Sequence, residues 1–475
     1  MMYKVVIGLE VHCELKTNSK NFSGAKNIYS EIPNSHVSVV DLGFPGTLPV
    51  VNKEAVKKAL KVALALNCEI PDEVIFDRKN YFYPDLPKGY QITQAKKPMG
   101  RNGYLMINVN DIDKKIGIRQ LHLEEDTASL DHYGTYSLID YNRSGVPLIE
   151  IVTEPCMNSA AEALAFLESL RSIFLYCDVS EAKSDKGQMR CDVNISLMKE
   201  DAKEFGTKVE LKNINSFTNV KDAIEYEIKR QSEILDQGGK ILQETRRFDD
   251  QDMKTYSMRS KVDAIDYKYY VEPNIPPVKI SKEYLEEIKK EIPPLQYERI
   301  NTYMNEYGLS RYDATVLVRE KAIAEYFEAT IREGADPKLA SNWITAIILG
   351  HLNKFELSIN DIFITPKMLT NLIKMVNDKT ISIKQGKEVL YKALDEKKDP
   401  TVIVKESGMK QIIDVDAIKN WVMEVLDEMP EAITQYKNGK TNIIDYLVGQ
   451  VMKKSRGQAN PAMTMSMLKE EIEKR

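Results

Sequence analysis

The stretch Gly117 to Leu130, GIRQLHLEEDTASL, constrains this chain most, because a strand-like apolar run leads directly into three consecutive carboxylates. Leu121 and Leu123 alternate with His122 and Glu124, the pattern of a half-buried strand. Glu125 then falls on the parity of the leucines. Either the strand bends there, or Glu125 points inward. A carboxylate facing a core must be paired, protonated or bound to a metal, since an isolated buried charge is too costly to desolvate. The rest of the sequence bears on which of the three applies.

Other strand patterns carry polar faces of the same kind. From Val5 to Leu15, Ile7, Leu9 and Val11 oppose Glu10, His12 and Glu14. In GVPLIEIVTEP, from Gly145, a continuous apolar run holds the single carboxylate Glu150 and reads as a strand covered on both faces, with Glu150 buried or ligated. In RCDVNIS, Arg190, Asp192 and Asn194 share a face; in TKVELKNI, Lys208, Glu210 and Lys212 do. An antiparallel sheet with one solvated face would present all of them together. DRKNYFYPDLPKGY, from Asp77, reads as a strand running into a stiff loop suited to the wall of a site. Asn52, and Ser159 with Glu162, have helix-capping positions, and a further helix is expected from about Phe217 to Leu235.

Beyond Pro293 and Pro294 the strand patterns nearly vanish. Asp336 and Thr365 each precede a proline in the order of an N-cap and first helical residue. A last helical segment begins near Ser407. At 475 residues the chain exceeds what one core supports, so several domains are expected. No apolar run is long enough to span a bilayer, and no secretory signal is read at the start. The five cysteines show no C-x-x-C spacing, which fits a reducing, cytoplasmic setting. The net charge of −5 gives no overall attraction to nucleic acid. One local patch differs: Lys437 to Pro461 holds five bases, among them Lys453, Lys454 and Arg456, against one acid, a net +4. It suits phosphate contacts to RNA, and equally a helix C-terminus whose lysines offset the macrodipole.

Glu10 and His12, with Glu124 or Glu125 and Glu150, could make an oxygen-rich cation site, better suited to Mg2+ or Mn2+ than to zinc. The same residues also fit an exposed strand face plus one paired core carboxylate. Lys79, Arg190, Lys208, Lys212, Arg246 and Arg247 lie on strand faces or adjoining loops, where cations and a metal could neutralise a transferring phosphoryl group. About half of them equally suit ordinary surface pairs. Neither standard glycine loop for nucleotides is present.

Taken together, IGLEVHCELKT from Ile7, DLGFPGTLPV from Asp41, FDRKNYFYPDLPKGYQITQ from Phe76, LHLEED from Leu121, GVPLIEIVTEP, RCDVNIS, GTKVELKNINSF from Gly206, QETRRFD from Gln243 and YLVGQVMKKSRGQANP from Tyr446 resemble the B subunits of glutamyl/aspartyl-tRNA amidotransferases. The motifs are long, in family order and spread from end to end. The resemblance implies an α+β protein: an antiparallel-sheet cradle domain over 1–292, an all-α helical domain over 293–406 and a small α-helical tail domain over 407–475 that contacts tRNA. It implies an ATP-dependent, glutamine-hydrolysing amidotransferase of the bacterial three-subunit type. In that chemistry the side-chain carboxylate of Glu-tRNA(Gln) or Asp-tRNA(Asn) is phosphorylated, and ammonia from a partner amidase (A) subunit displaces the phosphate; a small C subunit completes the assembly.

By position, Glu10, His12, Glu125 and Glu150 match the family's metal region, for Mg2+ or Mn2+. Lys79, Arg190 and Asp192 lie in motifs lining its ATP and acceptor-end pocket. Glu125, Lys79, Arg190 and Asp192 are then the candidate catalytic residues, Lys79, Arg190, Lys208, Lys212 and Arg246 the candidate ATP contacts, and Lys453, Lys454 and Arg456 the candidate tRNA contacts. Val271 and Asn274 depart from the family pattern, which excludes a carboxylate role at position 274. Composition alone leaves open a different class, a non-catalytic tRNA-binding adaptor with a structural metal.

Overall fold

A computed structural model describes residues 3–260, 266–407, 415–455 and 459–475. The chain divides into two compact units, Met1–Glu298 and Arg299–Arg475. The first contains every strand among the described residues.

In the first unit the chain order is β1 (Tyr3–Glu14), α1 (Lys53–Ala65), β2 (Glu73–Asn80), β3 (Tyr90–Lys97), β4 (Gly100–Val109), β5 (Ile112–Glu125), β6 (Ser129–Tyr133), β7 (Tyr136–Asp140), β8 (Pro147–Thr153), α2 (Ala160–Tyr176), β9 (Met189–Lys199), β10 (Val209–Lys212), α3 (Phe217–Asp236), β11 (Glu244–Asp249), β12 (Lys254–Ser260), β13 (Tyr270–Val271), β14 (Val278–Lys279) and α4 (Lys282–Lys290). Eight strands form one sheet in the order β12-β11-β10-β9-β1-β8-β5-β4. Every neighbouring pair is antiparallel except β10 and β11, which run parallel. A second sheet is built around β2, which pairs with β3, β13 and β14. Strands β6 and β7 form a separate hairpin.

Alternation in β1 works as the sequence implies. Ile7, Leu9 and Val11 are buried on the side where α1, α2 and α3 cover the large sheet, in one cluster with Leu121, Leu123, Ile149, Ile151, Val193 and Leu211. Burying side chains of this size supplies roughly 1.5–3 kcal/mol each. The opposite face keeps the polar residues. The caps form as the spacing implies: Asn52 accepts from the backbone N–H groups of Glu54 and Ala55, and Ser159 accepts from that of Glu162. Glu162 does not complete the reciprocal bond of a capping box. Its carboxylate accepts from the Asn158 N–H and from Lys114 instead.

The second unit is helical throughout its described residues. Asp336 and Thr365 cap helices that begin at Pro337 and Pro366. Asp399 does the same for Pro400–Glu406. Its described residues form two separate hydrophobic clusters. One contains Trp343, Phe327 and Leu372; the other contains Val422, Leu447, Val451 and Leu468. No described helix is long and apolar enough to cross a membrane.

Candidate active site on the polar face of the large sheet

Register places a row of charged groups across the large sheet. His12 of β1 stands opposite Arg190 of β9 on one side and Glu150 of β8 on the other, and Glu150 stands opposite His122 of β5. Laterally paired residues share a face, so these four side chains rise together from the sheet. The imidazole Nε2 atoms of His12 and His122 lie 3.3 Å and 3.1 Å from the same Glu150 oxygen. Glu124, two residues beyond His122 on the same face, closes the group at 3.8 Å from His12 and 3.5 Å from His122. Thr93 of β3 also reaches Glu124, at 3.3 Å.

Burial opposes charge on both histidines, yet the two carboxylates outweigh it: His12 is raised above its ordinary pKa and His122 is pushed up to about 10. Glu150 is likewise penalised by burial but held well below the usual range by His122 and His12. One ligand atom each from His12, Glu124 and Glu150 can lie within 4.8 Å of one another. One imidazole and two carboxylates suit Mg2+ or Mn2+. Buried His122 Nδ1 has no hydrogen-bond partner among the described residues.

Glu125 is not brought into this group. It does face the core side, as its parity requires, and its charge is met by Lys88, at 2.5 and 2.6 Å, with the Ile92 N–H donating to it at 3.0 Å. Of the three ways to satisfy an inward carboxylate, pairing is the one realised. Sequence reasoning missed Lys88 because the two positions are 37 residues apart and meet only when β3 crosses the end of β5. The place expected for Glu125 is occupied by Glu124, whose alternation with the buried leucines already put it on the histidine's face.

Glu10 belongs to a second set of acids, with Asp192 and Glu210, whose oxygens also lie within 4.8 Å of one another. Lys212 lies 2.6 Å from Asp192 and 3.6 Å from Glu210, and its pKa is raised because Asp192 and Glu210 overcome its desolvation. Asn194 donates to Glu10 at 2.8 Å. Arg190 donates to buried Asp126 at 2.6 Å, and that pairing raises the arginine's pKa. Lys79 reaches this side of the protein from β2. Burial works against its charge, but Glu124, Tyr269 and Glu150 outweigh it and raise its pKa. Its ammonium lies 4.9 Å from the Tyr267 ring.

Arg246 lies on the other face. It is paired with Leu211 in the parallel β10–β11 register, and its guanidinium is held by Glu244, Thr255 and Glu227 of α3. Arg247, opposite Lys212, is the arginine on the polar face. Lys208 is exposed at a cleft of about 180 Å3 that it lines with Gly8, Glu10, Arg119, Asn194 and Phe205. Gly206 lets the chain pass there, since a Cβ would collide with the Leu197 carbonyl. In the tail, Lys453 is exposed, whereas Lys454 is paired with Glu424 and Glu428 at 2.9 and 2.6 Å. Arg456 lies outside the described residues.

Glu14 supplies a pH-dependent element beside the row. Burial, reinforced by Asp126, pushes its carboxyl up to about 7, against the pull of Arg190 and Arg143. Because the folded value lies above the unfolded one, the native chain binds the extra proton between pH 4.5 and 7, and stability falls as pH rises through that window. Glu14→Gln is expected to remove this slope. Urea titrations at about pH 8 should find the variant more stable by up to about 3 kcal/mol, with the two proteins converging below the unfolded pKa.

Comparison with known proteins places this geometry in context. Residues 5–286 match the GatB/GatE catalytic domain, and residues 325–472 match the GatB domain. The chain is 50% identical to the B subunit of the aspartyl/glutamyl-tRNA(Asn/Gln) amidotransferase of Geobacillus kaustophilus, over all of both chains. Identity is 50% to the protein of the same name from Geobacillus thermodenitrificans and 49% to that from Halalkalibacterium halodurans, again over the full length of each.

Proposed function

The chain belongs to the family of aspartyl/glutamyl-tRNA amidotransferase B subunits, and from that premise we propose that it activates the side-chain carboxylate of Glu-tRNA(Gln) or Asp-tRNA(Asn) with ATP for conversion to an amide. The observation that carries this reading is the group of His12, Glu124 and Glu150 on a sheet face that also carries Arg190 and Lys212, with Lys79 brought near it from β2 of the second sheet. A carboxylate is a poor acyl donor until one oxygen becomes a phosphate leaving group. Its oxygen attacks the γ-phosphorus, the bond to ADP breaks, and ammonia then forms the C–N bond as phosphate departs. A bound Mg2+ or Mn2+ would draw negative charge from the phosphoryl oxygens.

The protein's own residues do the remaining work. His12, Glu124 and Glu150 would hold the ion. Arg190, beside His12, and Lys79, within the field of Glu124 and Glu150, would hold the two anionic reactants together against their mutual repulsion. Lys208 and the apolar cleft beside Glu10 are suited to the nucleotide. Ammonia requires a source shielded from bulk water, where it would be protonated. The relatives are named as B subunits, which fits a partner amidase (A) subunit and a small C subunit. The tail cluster, with exposed Lys453, would contact the tRNA.

The test is incubation of the chain and its partner subunits with Glu-tRNA(Gln), ATP and Mg2+. Gln-tRNA and ADP are expected together, with glutamine or ammonium as donor. Absence of tRNA-dependent ADP would contradict the reading and favour an adaptor. In the tail, Lys453→Glu is expected to weaken tRNA binding and to reduce its salt slope by about one. Lys454→Glu should chiefly lower the stability of the second unit, because that lysine already serves Glu424 and Glu428. Filter binding over a salt series and thermal unfolding separate the two effects.

A further inference from the structure

The loop between β2 and β3 combines two properties that rarely coincide. It is firmly mounted: Tyr81 N–H bonds Gly89 O at 3.2 Å, Leu86 N–H bonds Tyr83 O at 3.0 Å, Ala128 N–H bonds Asp85 O at 3.0 Å, and the Tyr141 hydroxyl bonds Pro84 O at 3.2 Å. Pro84 and Pro87 stiffen it further, and Leu86 and Lys88 anchor it through burial and the Glu125 pair. Yet Phe82, on this rigid mount, is 98% exposed, the most exposed large apolar side chain among the described residues. Tyr83 beside it is 53% exposed. A mobile loop could fold such a ring away, but this one holds it in water. Rigid, projecting aromatics are what unpaired nucleobases stack on.

The surroundings select the occupant. Cations and aromatic rings are interleaved here: Lys79 lies over Tyr267 at 4.9 Å, Tyr81 meets Tyr267 edge-on at 5.9 Å, and exposed Lys268 follows, its carbonyl bonded to Asn80 at 2.8 Å. That combination matches a single-stranded polynucleotide, whose bases stack while its phosphates meet the cations. Phe82 lies three positions after Lys79, at most about 10 Å of extended chain. A ribose carrying an esterified glutamate bridges such a span, which would bring its carboxylate toward the ammonium that Glu124 and Glu150 influence.

We propose that Phe82 is the stacking platform for the terminal base of the tRNA acceptor strand, with Tyr83 flanking it. Phe82 acts by positioning the aminoacyl group and takes no part in the chemistry. This placement rests on the function proposed above, and its test is a binding measurement independent of turnover. The full chain is titrated with a fluorescent acceptor minihelix that ends in a single-stranded tail, and with the same minihelix lacking its terminal base. Phe82→Ala is expected to weaken binding of the intact minihelix about tenfold, and Phe82→Trp to retain it. The wild type should bind the abasic minihelix about as weakly, and Phe82→Ala should cost nothing further against it.

Equal affinity of wild type and Phe82→Ala for the intact minihelix would overturn the proposal, as would additive losses from the variant and the missing base. So would a loss confined to binding of an ATP analogue, which assigns the ring to the nucleotide, or a loss confined to co-purification with the amidase, which assigns it to a protein contact. If the wild type binds the minihelix with the expected pattern but forms no tRNA-dependent ADP, the proposed function fails and the platform stands.

Discussion

Glu124→Gln is expected to lower tRNA-dependent amide formation on the order of a hundredfold to a thousandfold while the chain remains folded. Among the described residues Glu124 and Glu150 are the carboxylates that reach the His12 imidazole, so the substitution removes one of the two anionic ligands that accompany His12. Removing one preorganised electrostatic contact from a phosphoryl- or acyl-transfer site typically costs that much in rate. Gln keeps the shape and can still meet Thr93, which lies 3.3 Å from the carboxylate. Mn2+ titration followed by electron paramagnetic resonance should show weaker binding in parallel with the lost rate. A variant with wild-type amidation would remove Glu124 from the site.

The neighbouring substitution should fail for a different reason. Glu125→Gln leaves the Lys88 ammonium, only 8% exposed, without its counter-charge. Breaking a buried ion pair from one side costs about 3–5 kcal/mol, because the remaining charge stays desolvated. Denaturant unfolding should register that loss, and any loss of activity should track the folded fraction. Adding Lys88→Met to Glu125→Gln should recover much of the stability, since the orphaned charge is then gone. If Glu125→Gln instead unfolds like the wild type but no longer binds Mn2+, Glu125 and not Glu124 is the ligand.

This contrast between adjacent glutamates shows what the sequence makes legible. Alternation with Leu121 and Leu123 correctly sends Glu125 inward and leaves Glu124 beside His122, because side-chain direction in a strand is local and periodic. What satisfies an inward charge is not local. Lys88 lies on another segment, and nothing in a period of two points to it. The same limit applies to Arg246 and Arg247: adjacent strand residues face opposite ways, but which one meets Lys212 depends on the parallel register of β10 and β11, set by α3 and the turns around it. In the tail, Lys454 looks like one base of a patch until the helix Val415–Glu428 supplies Glu424 and Glu428.

At the level of the fold, elements with long patterns or distinct caps are readable. The Asn52, Asp336 and Thr365 caps, the strand around His12 and the change to helices beyond Pro294 all follow from local chemistry. The second sheet is not readable in this way, because β13 and β14 are two residues each, too short for any periodic signal. Its consequence is large, for β2 at its centre carries Lys79 toward Glu124 and Glu150.

The most direct measurement follows the oxygen atom that carboxylate activation must transfer. Glu-tRNA(Gln) is prepared with heavy oxygen in its side-chain carboxylate and converted by the complete enzyme with ATP, Mg2+ and glutamine. If the side-chain oxygen attacks the γ-phosphorus, one heavy oxygen per turnover appears in the released phosphate, and Glu124→Gln suppresses label transfer and amide formation together. Gln-tRNA formed with unlabelled phosphate would contradict carboxylate phosphorylation at the His12, Glu124 and Glu150 site.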